Sequence, residues 1–353
     1  MPAPDPTRVE IGYWLSSEEH APRMLVQNAR RAEEAGFSSA MISDHYHPWT
    51  DHQGESPFVW SVLGAIAQAT KQLRVGTGVT APIKRMHPAI VAQAAATTAT
   101  LMPGRFFLGL GSGERLNEHI VGSDWPPAHV RLAMLEEAVE IIRMLWRGET
   151  YSRRGGYFTV DNARLYSLPD EPPPIFVAAG SPQSAEAAGR FGDGLVGVTP
   201  TGRLVEAFEI GGGIGKPRLA QAHVCWAETE AEARRVAHRW WPVAAMQGAV
   251  LSDLALPRDI ERVARLVREQ DVARVVVCGS ERERHLAAIA RFAASGFNRV
   301  YIHQIGPDQE GFFRFYEREV LPRFAPPGSE EVPRTRTKSR TGAPSAARAA
   351  KDG

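Results

Sequence analysis

Cysteine is nearly absent from this chain of 353 residues: Cys225 and Cys278 are the two, each inside an apolar, strand-like run. That excludes a disulfide framework and predicts buried free thiols, so any redox chemistry has to come from a cofactor. Long hydrophobic runs are missing too. None reaches the ~20 residues that a membrane span needs, and the start MPAPDPTRVEIGYWL lacks the basic-then-apolar layout of a secretion signal. The expectation is a cytoplasmic protein with no membrane partner. Neither sign of charge is in excess, with 41 Lys and Arg against 40 Asp and Glu, so no net field gathers nucleic acid. What remains, 43% hydrophobic and 23% charged residues, is the composition of an ordinary globular protein.

Apolar, β-branched runs alternate with amphipathic helical patterns along most of the chain, as in a parallel sheet with helical crossovers. Eight runs read as strands: 9–15, 39–43, 73–79, 106–111, 175–180, 194–198, 222–227 and 299–304. Helical patterns such as PRMLVQNARRAEEAG (22–36) and LAMLEEAVEIIRMLWRG (132–148) separate them, closed by Gly36 and Gly148. Eight strand-then-helix units in one series predict a (β/α)8 barrel over residues 9–325, since a doubly wound open sheet more often stops at five or six strands. A further run, RVVVCGS (274–280), is surplus. With the Trp-rich AEARRVAHRWWPVAAM (231–246) it predicts an insertion of about 228–296 after the seventh strand. Residues 1–8 read as a flexible start, and the Pro-, Ser- and charge-rich 326–353 as a disordered basic tail.

In such a barrel the loops after the strands converge on one face and carry the active site. The loop after the second run, SDHYHPWTDHQGESP (43–57), brings three histidines, two aspartates and a tryptophan there. His45-x-His47 has the spacing of a barrel metallohydrolase, but such a site also needs histidines after strands five and six. The segments after IFVAAG and GLVGV have none, so no metal is expected. LGLGSGERLNE (108–118) fails as a dinucleotide fingerprint, because Gly109, Gly111 and Gly113 alternate without the third glycine expected two residues further on. IGGGIGKP fails as a phosphate loop, because Pro217 stands where a metal-binding hydroxyl belongs. Such glycines let backbone approach a flat ligand closely. The strand ends GTGVTAP (76–82) and AAGSP (178–182) offer the same small residues, and Ser181 with helix-start amides suits a phosphate. Glu114 stands where a barrel loop places a catalytic carboxylate; the alternative is an acid favoured by a helix N-terminus.

Five ordered motifs, SDHYHPW (43–49), LRVGTGVTAP (73–82), HPAIVAQAAAT (87–97), RFFLGLGSGERLNE (105–118) and FVAAGSP (176–182), resemble the coenzyme F420-dependent dehydrogenases of the luciferase-like barrel superfamily. Within it the chain is most similar to the F420-dependent glucose-6-phosphate dehydrogenase group, over about residues 9–325. The resemblance implies a homodimer of (β/α)8 barrels, the deazaflavin F420 across the C-terminal mouth, and a non-proline cis peptide at Gly78-Val79. By motif, Asp44, Gly78 and Val79 would hold the deazaflavin ring. Ser112, Gly113, Asn117, Ala178, Ala179, Gly180 and Ser181 would line the rest of the cofactor site. His45, Glu114 and Trp49 match the catalytic positions, and Glu18 would face the pocket. An imidazole titrates near neutral pH and suits the base that takes a hydroxyl proton, which points to His45. Glu114 would meet the N1 side of the reduced ring, and Trp49 would wall the reacting carbon from water. Whether His45 or Glu114 is the base toward substrate stays open.

The departure from the group lies at the substrate end. Its sugar-phosphate members hold phosphate with lysines after strand six and in the insertion, and with an arginine. Here Thr201 in GVTPTGRL (197–204) aligns with the first lysine, with Arg203 nearby. The lysines are Lys71, Lys84, Lys216, Lys338 and Lys351, so the insertion has none, and Arg274 matches the arginine. A phosphate dianion needs paired charged donors. The expectation is therefore a non-phosphorylated small-molecule alcohol or lactol, or a ketone in reverse, with Trp240, Trp241 and Met246 available to pack on it. The alternatives are a sugar-phosphate dehydrogenase and an FMN-dependent monooxygenase, which shares the barrel but activates oxygen. A catalytically silent deazaflavin binder is disfavoured by the presence of both His45 and Glu114.

Overall fold

Residues 9–246 and 250–324 are described by the computed structural model; the expected flexible start at 1–8 and basic tail at 326–353 lie outside the described residues. The apolar runs become strands β1 (Glu10–Leu15), β2 (Ser39–Ile42), β3 (Arg74–Thr77) and β4 (Phe106–Leu110), a hairpin of β5 (Tyr151–Arg154) and β6 (Thr159–Ala163), then β7 (Ile175–Ala178), β8 (Gly194–Gly197), β9 (Arg218–Cys225), β10 (Val277–Cys278) and β11 (Arg299–Gln304). Strands buried on both faces read as continuous apolar runs, which is why these eight stood out. β1, β2, β3, β4, β7, β8, β9 and β11 pair in parallel in that order, and β11 returns to β1, so the sheet closes into the expected (β/α)8 barrel.

Inward-facing Trp14, Met41, Phe107, Phe176, Val196, Leu219 and Tyr301 fill the barrel. The rings fit because a neighbouring strand offers glycine: a Cβ on Gly12 would strike Tyr301, one on Gly76 would strike Phe107, and one on Gly194 would meet Phe176. Val79 and Ala178, at the C-terminal ends of β3 and β7, pack on this cluster but stay partly exposed and form the floor of the mouth. The crossover helices close as anticipated in the first unit, where Pro22–Ala35 ends at Gly36 with φ 98°.

Two features differ from the sequence reading. The hairpin β5–β6 between β4 and β7 was not anticipated, although Gly155-Gly156 divides two short polar-apolar stretches there. The insertion after β9 is also shorter than 228–296. Helix Arg282–Ala294 buries Ile289 and Phe292 in the main core and is simply the crossover into β11. The surplus run contributes β10, which pairs with the top of β9 through Val277–Val224 and Cys278–Cys225, outside the barrel circle. Both cysteines are buried free thiols. The insertion builds a second small core from Ala233, Ala237, Trp241, Val243, Ile260 and Val272, into which Leu116 and Trp49 from the mouth loops also pack. It is thus a roof over the barrel mouth. Among the described residues no helix is long and apolar enough to cross a membrane.

Candidate active site

β2 delivers Ser43, Asp44 and His45 to the mouth. The loop that follows has little regular structure and is pinned by side chains instead. Asn117 Oδ1 accepts from the N–H groups of Tyr46 (2.9 Å) and His47 (3.2 Å), and its Nδ2 donates to Glu114 Oε2 at 3.4 Å. One amide therefore couples the His45 loop to Glu114, the residue before helix Arg115–Glu118. His45 Nδ1 lies 3.2 Å from the His47 carbonyl, and the His45 and Trp49 rings meet edge-on with centroids 4.9 Å apart. On the other side of the imidazole, Nε2 is 3.5 Å from Glu18 Oε1. That separation is long for a hydrogen bond and leaves Nε2 able to meet a substrate oxygen. Glu18 is itself buried and fixed, its Oε2 accepting from Ser43 Oγ (2.6 Å) and Ser16 Oγ (3.1 Å). His47 Nδ1 is turned onto the Leu116 carbonyl at 2.9 Å. Among the described residues no three His, Cys, Asp or Glu side chains converge as metal ligands.

Asp44 sits deeper than the resemblance implies. Thr80 Oγ1 donates to its Oδ2 at 2.6 Å and the Arg85 guanidinium to its Oδ1 at 2.8 Å, so both carboxylate oxygens are engaged within the protein. Arg85 also stands 3.7 Å from Glu118, whose Oε2 accepts from the Arg85 and Lys84 backbone N–H groups at 2.8 and 3.2 Å. Burial pushes Glu118 up to about 7, against the lowering pull of Arg85. The motifs gave no hint of Thr80, Arg85 or Glu118 as partners, because the pairing exists only once β2, β3 and β4 lie side by side.

Glycines shape the adjoining space. The Gly78-Val79 peptide is cis. A Cβ on Gly78 would come within 2.6 Å of the Trp14 ring, and one on Gly111 within 2.6 Å of Val79. Gly113 takes φ 71°, and a Cβ there would press on Glu118 and Ala81. At Gly180 the opposite holds: nothing lies within 4 Å of an added Cβ. Ser181 beside it caps helix Pro182–Phe191, accepting from the Ser184 N–H at 3.2 Å. Ala178 and Ser112 are half-buried at the same edge, whereas Ala179 is turned into the core. A flat apolar floor, open space and a capped helix start suit a planar ring with an anionic tail.

The family model described as luciferase-like monooxygenase matches residues 7–299. The chain belongs to that family. The F420-dependent glucose-6-phosphate dehydrogenase of Intrasporangium calvum is 35% identical over 331 residues, 89% of this chain and 98% of that protein. That of Mycolicibacterium gilvum is 34% identical over 330 residues, 90% of this chain and 98% of that one. Among solved structures, an F420-dependent secondary alcohol dehydrogenase in complex with an F420-acetone adduct is similar with a TM-score of 0.84 and 30% identity, covering 90% of this chain and 99% of that chain.

In this luciferase-like protein Glu18 joins the His45 group, whereas none of the hydrogen bonds or ion pairs among the described residues ties Thr201, Arg203 or Arg274 to it. Thr201 precedes helix Gly202–Phe208 and is half-buried, and Arg203 is exposed. The Arg274 side chain is 72% exposed and held 3.2 Å from Asp271. Trp240 packs on His52 with centroids 4.7 Å apart, and Trp241 is buried against His303 at 4.4 Å, so both tryptophans hold the roof.

The sequence reading missed a buried set on the other side of β1. Glu19 Oε2 lies 2.7 Å from His303 Nε2, and His303 Nδ1 lies 3.0 Å from His223 Nδ1. Burial lifts Glu19 to about 7 and holds His303 at about 4; burial, then the neighbouring His303, holds His223 at about 3. The signal was available, since His223 and His303 lie an even number of residues after inward Leu219 and Tyr301 on β9 and β11 and so share their face.

Proposed function

We propose that the protein is an F420-dependent dehydrogenase moving a hydride between the deazaflavin and a CH–OH carbon, with the lactol carbon of a sugar phosphate as its first substrate class. The observation that carries the chemistry is the His45 group: an imidazole whose Nε2 makes no short hydrogen bond, a fixed carboxylate 3.5 Å from that same nitrogen and a tryptophan at the ring edge, all at the barrel mouth. Coenzyme F420 is the cofactor, in keeping with the relatives and with the shape of the site. Val79 and Ala178 would floor its ring, beside Gly78, Ser112 and Gly113. The space over Gly180 and the helix start at Ser181 would take its tail. When bound, F420 supplies a two-electron hydride acceptor at C5. His45 Nε2 takes the hydroxyl proton, and Glu18 stabilises the ring that has received it. Trp49 excludes water from the reacting carbon. Glu114, steadied by Asn117, supplies the acid or hydrogen bond on the opposite side. Asp44, closed off by Thr80 and Arg85, positions the loop that carries His45.

The sugar-phosphate reading is supported by relatives bearing that activity at 34 to 35% identity over nearly their whole length. It overrides the expectation drawn from the missing lysines, and leaves Arg203 as the cation offered after β8. A second reading, a neutral secondary alcohol, is favoured by the exposure of Arg274 and its engagement by Asp271, and by the likeness to the secondary alcohol dehydrogenase. The two are separated by following F420 reduction with glucose 6-phosphate, glucose and propan-2-ol. The highest kcat/KM with glucose 6-phosphate supports the first reading, and preference for either neutral alcohol supports the second. Tighter binding of FMN than of F420 would overturn both.

We further propose a homodimer. Helices Val59–Ala69 and Pro88–Leu101 flank a groove of about 300 Å3 lined by Phe58, Met86, Ile90 and Leu101. Phe58 and Ile90 are each 54% exposed, a degree of apolar exposure that a second copy would cover.

A further inference from the structure

The mouth carries acid–base groups that this scheme leaves idle. Glu19 follows Glu18 but turns toward β11, where its Oε2 meets His303 Nε2 at 2.7 Å and its Oε1 accepts from the Gly306 N–H at 2.9 Å. His303 passes the contact on to His223 through facing Nδ1 atoms, 3.0 Å apart. Glu19 and His303 are buried, the latter under Trp241. His223 is largely buried but keeps some exposed surface, and it points inward from the C-terminal end of β9. Its Nε2, on the ring edge away from His303, has no hydrogen-bond partner among the described residues.

Between two neutral imidazoles facing through Nδ1, one must donate and the other accept. With Glu19 ionised, His303 Nε2–H donates to it, His303 Nδ1 accepts from His223 Nδ1–H, and His223 Nε2 is left with a bare lone pair. With a proton on Glu19, the carboxyl O–H donates to His303 Nε2, His303 Nδ1–H donates to His223 Nδ1, and His223 Nε2 carries a hydrogen. Each ring keeps one N–H throughout, and only the proton on Glu19 is gained or lost. We propose that Glu19, His303 and His223 form a tautomer-linked chain that makes His223 Nε2 an acceptor for the substrate alcohol when Glu19 is ionised, and a donor for the product carbonyl when Glu19 is protonated. The proposal rests on the CH–OH chemistry above and adds a substrate contact on the side of β1 away from His45.

Burial sets the working range. It lifts Glu19 to about 7; His20, the Gly306 amide and Ser16 pull the other way, and Glu18 adds to the rise. His223 at about 3 and His303 at about 4 take no second proton in that range. The other titratable groups felt by this set, Tyr13 and Cys225, are pushed up by burial and stay protonated, while burial pushes His20 down and keeps it neutral.

The test reads the rings directly. In the 15N-labelled full-length protein, long-range proton–nitrogen correlation spectra assigned with His223→Gln report the tautomer of His223. Between about pH 5.5 and 8.5 it should pass from Nε2–H to Nδ1–H without forming imidazolium, and Glu19→Gln should freeze it. In the F420-loaded enzyme, His223→Phe should raise KM for the alcohol at least about fivefold at high pH with kcat within about threefold, and flatten the pH dependence of KM. A single tautomer across the range, an imidazolium at His223, or switching that survives Glu19→Gln overturns the proposal. So does a His223→Phe enzyme with unchanged KM at every pH. The wild-type titration decides even where Glu19→Gln does not fold, and it needs no cofactor. Failure to bind F420 would count against the functional reading alone.

Discussion

His45 and Glu114 reach the mouth from β2 and β4, and one amide, Asn117, ties Glu114 to the backbone of Tyr46 and His47 just after His45. If they act on the reacting atoms, His45→Asn and Glu114→Gln should each lower kcat by about 10²-fold or more while F420 fluorescence titrations stay near normal; wild-type turnover in both variants would sink the assignment. Glu19 makes a different prediction, about stability. Burial raises its pKa in the folded protein from 4.5 to about 7, so the folded form holds the proton more tightly than the unfolded form. That contribution is complete below about pH 4.5 and is lost as pH rises through about 7, an effect of up to about 3 kcal/mol. Compared at pH 5 and pH 8 by denaturant unfolding, wild type should lose ground to Glu19→Gln by that order. A difference independent of pH would place Glu19 in a wetter setting. The motif residues were legible because their types and order are local facts. Arg85, Glu118 and Glu19 were not, because each acquires its meaning from a partner on another strand.

At the level of strands and loops, two glycines separate packing from binding. Gly76 on β3 lies against Phe107 on β4, where a Cβ would strike both ring and carbonyl, so Gly76→Ala should cost about 1–3 kcal/mol and lower Tm. Gly180 has open space instead, so Gly180→Ala should leave Tm unchanged and weaken F420 binding about tenfold. Normal F420 binding by that variant would assign the space to something other than the cofactor. The eight barrel strands could be read in advance because burial on both faces leaves an unbroken apolar run. The hairpin β5–β6 escaped notice because its strands are short and largely exposed. The end of the insertion was misjudged for another reason: helix Arg282–Ala294 has the same local pattern as the roof helices, and only its packing on the main core tells them apart.

Across the whole molecule, closure is the property no segment carries. β11 meets β1 across nearly the full chain, and β9 gathers β8, β10 and β11 at once. The proposed second copy also belongs to this scale. Combining Phe58→Glu with Ile90→Lys places charge in the groove beside helix Val59–Ala69, and should halve the mass seen by sedimentation while leaving the barrel folded; a wild-type protein that sediments as a monomer removes the dimer from consideration. The roof has one more implication, for anyone who would exchange parts between relatives. Its small core is completed by Trp49 and Leu116, which belong to the loops bearing His45 and Glu114. A transplanted roof that leaves those two behind would arrive with a hole in its hydrophobic seam. The roof of this barrel is therefore held by three distant chain segments, and a graft of the segment after β9 alone would carry over an unfilled seam and lose stability.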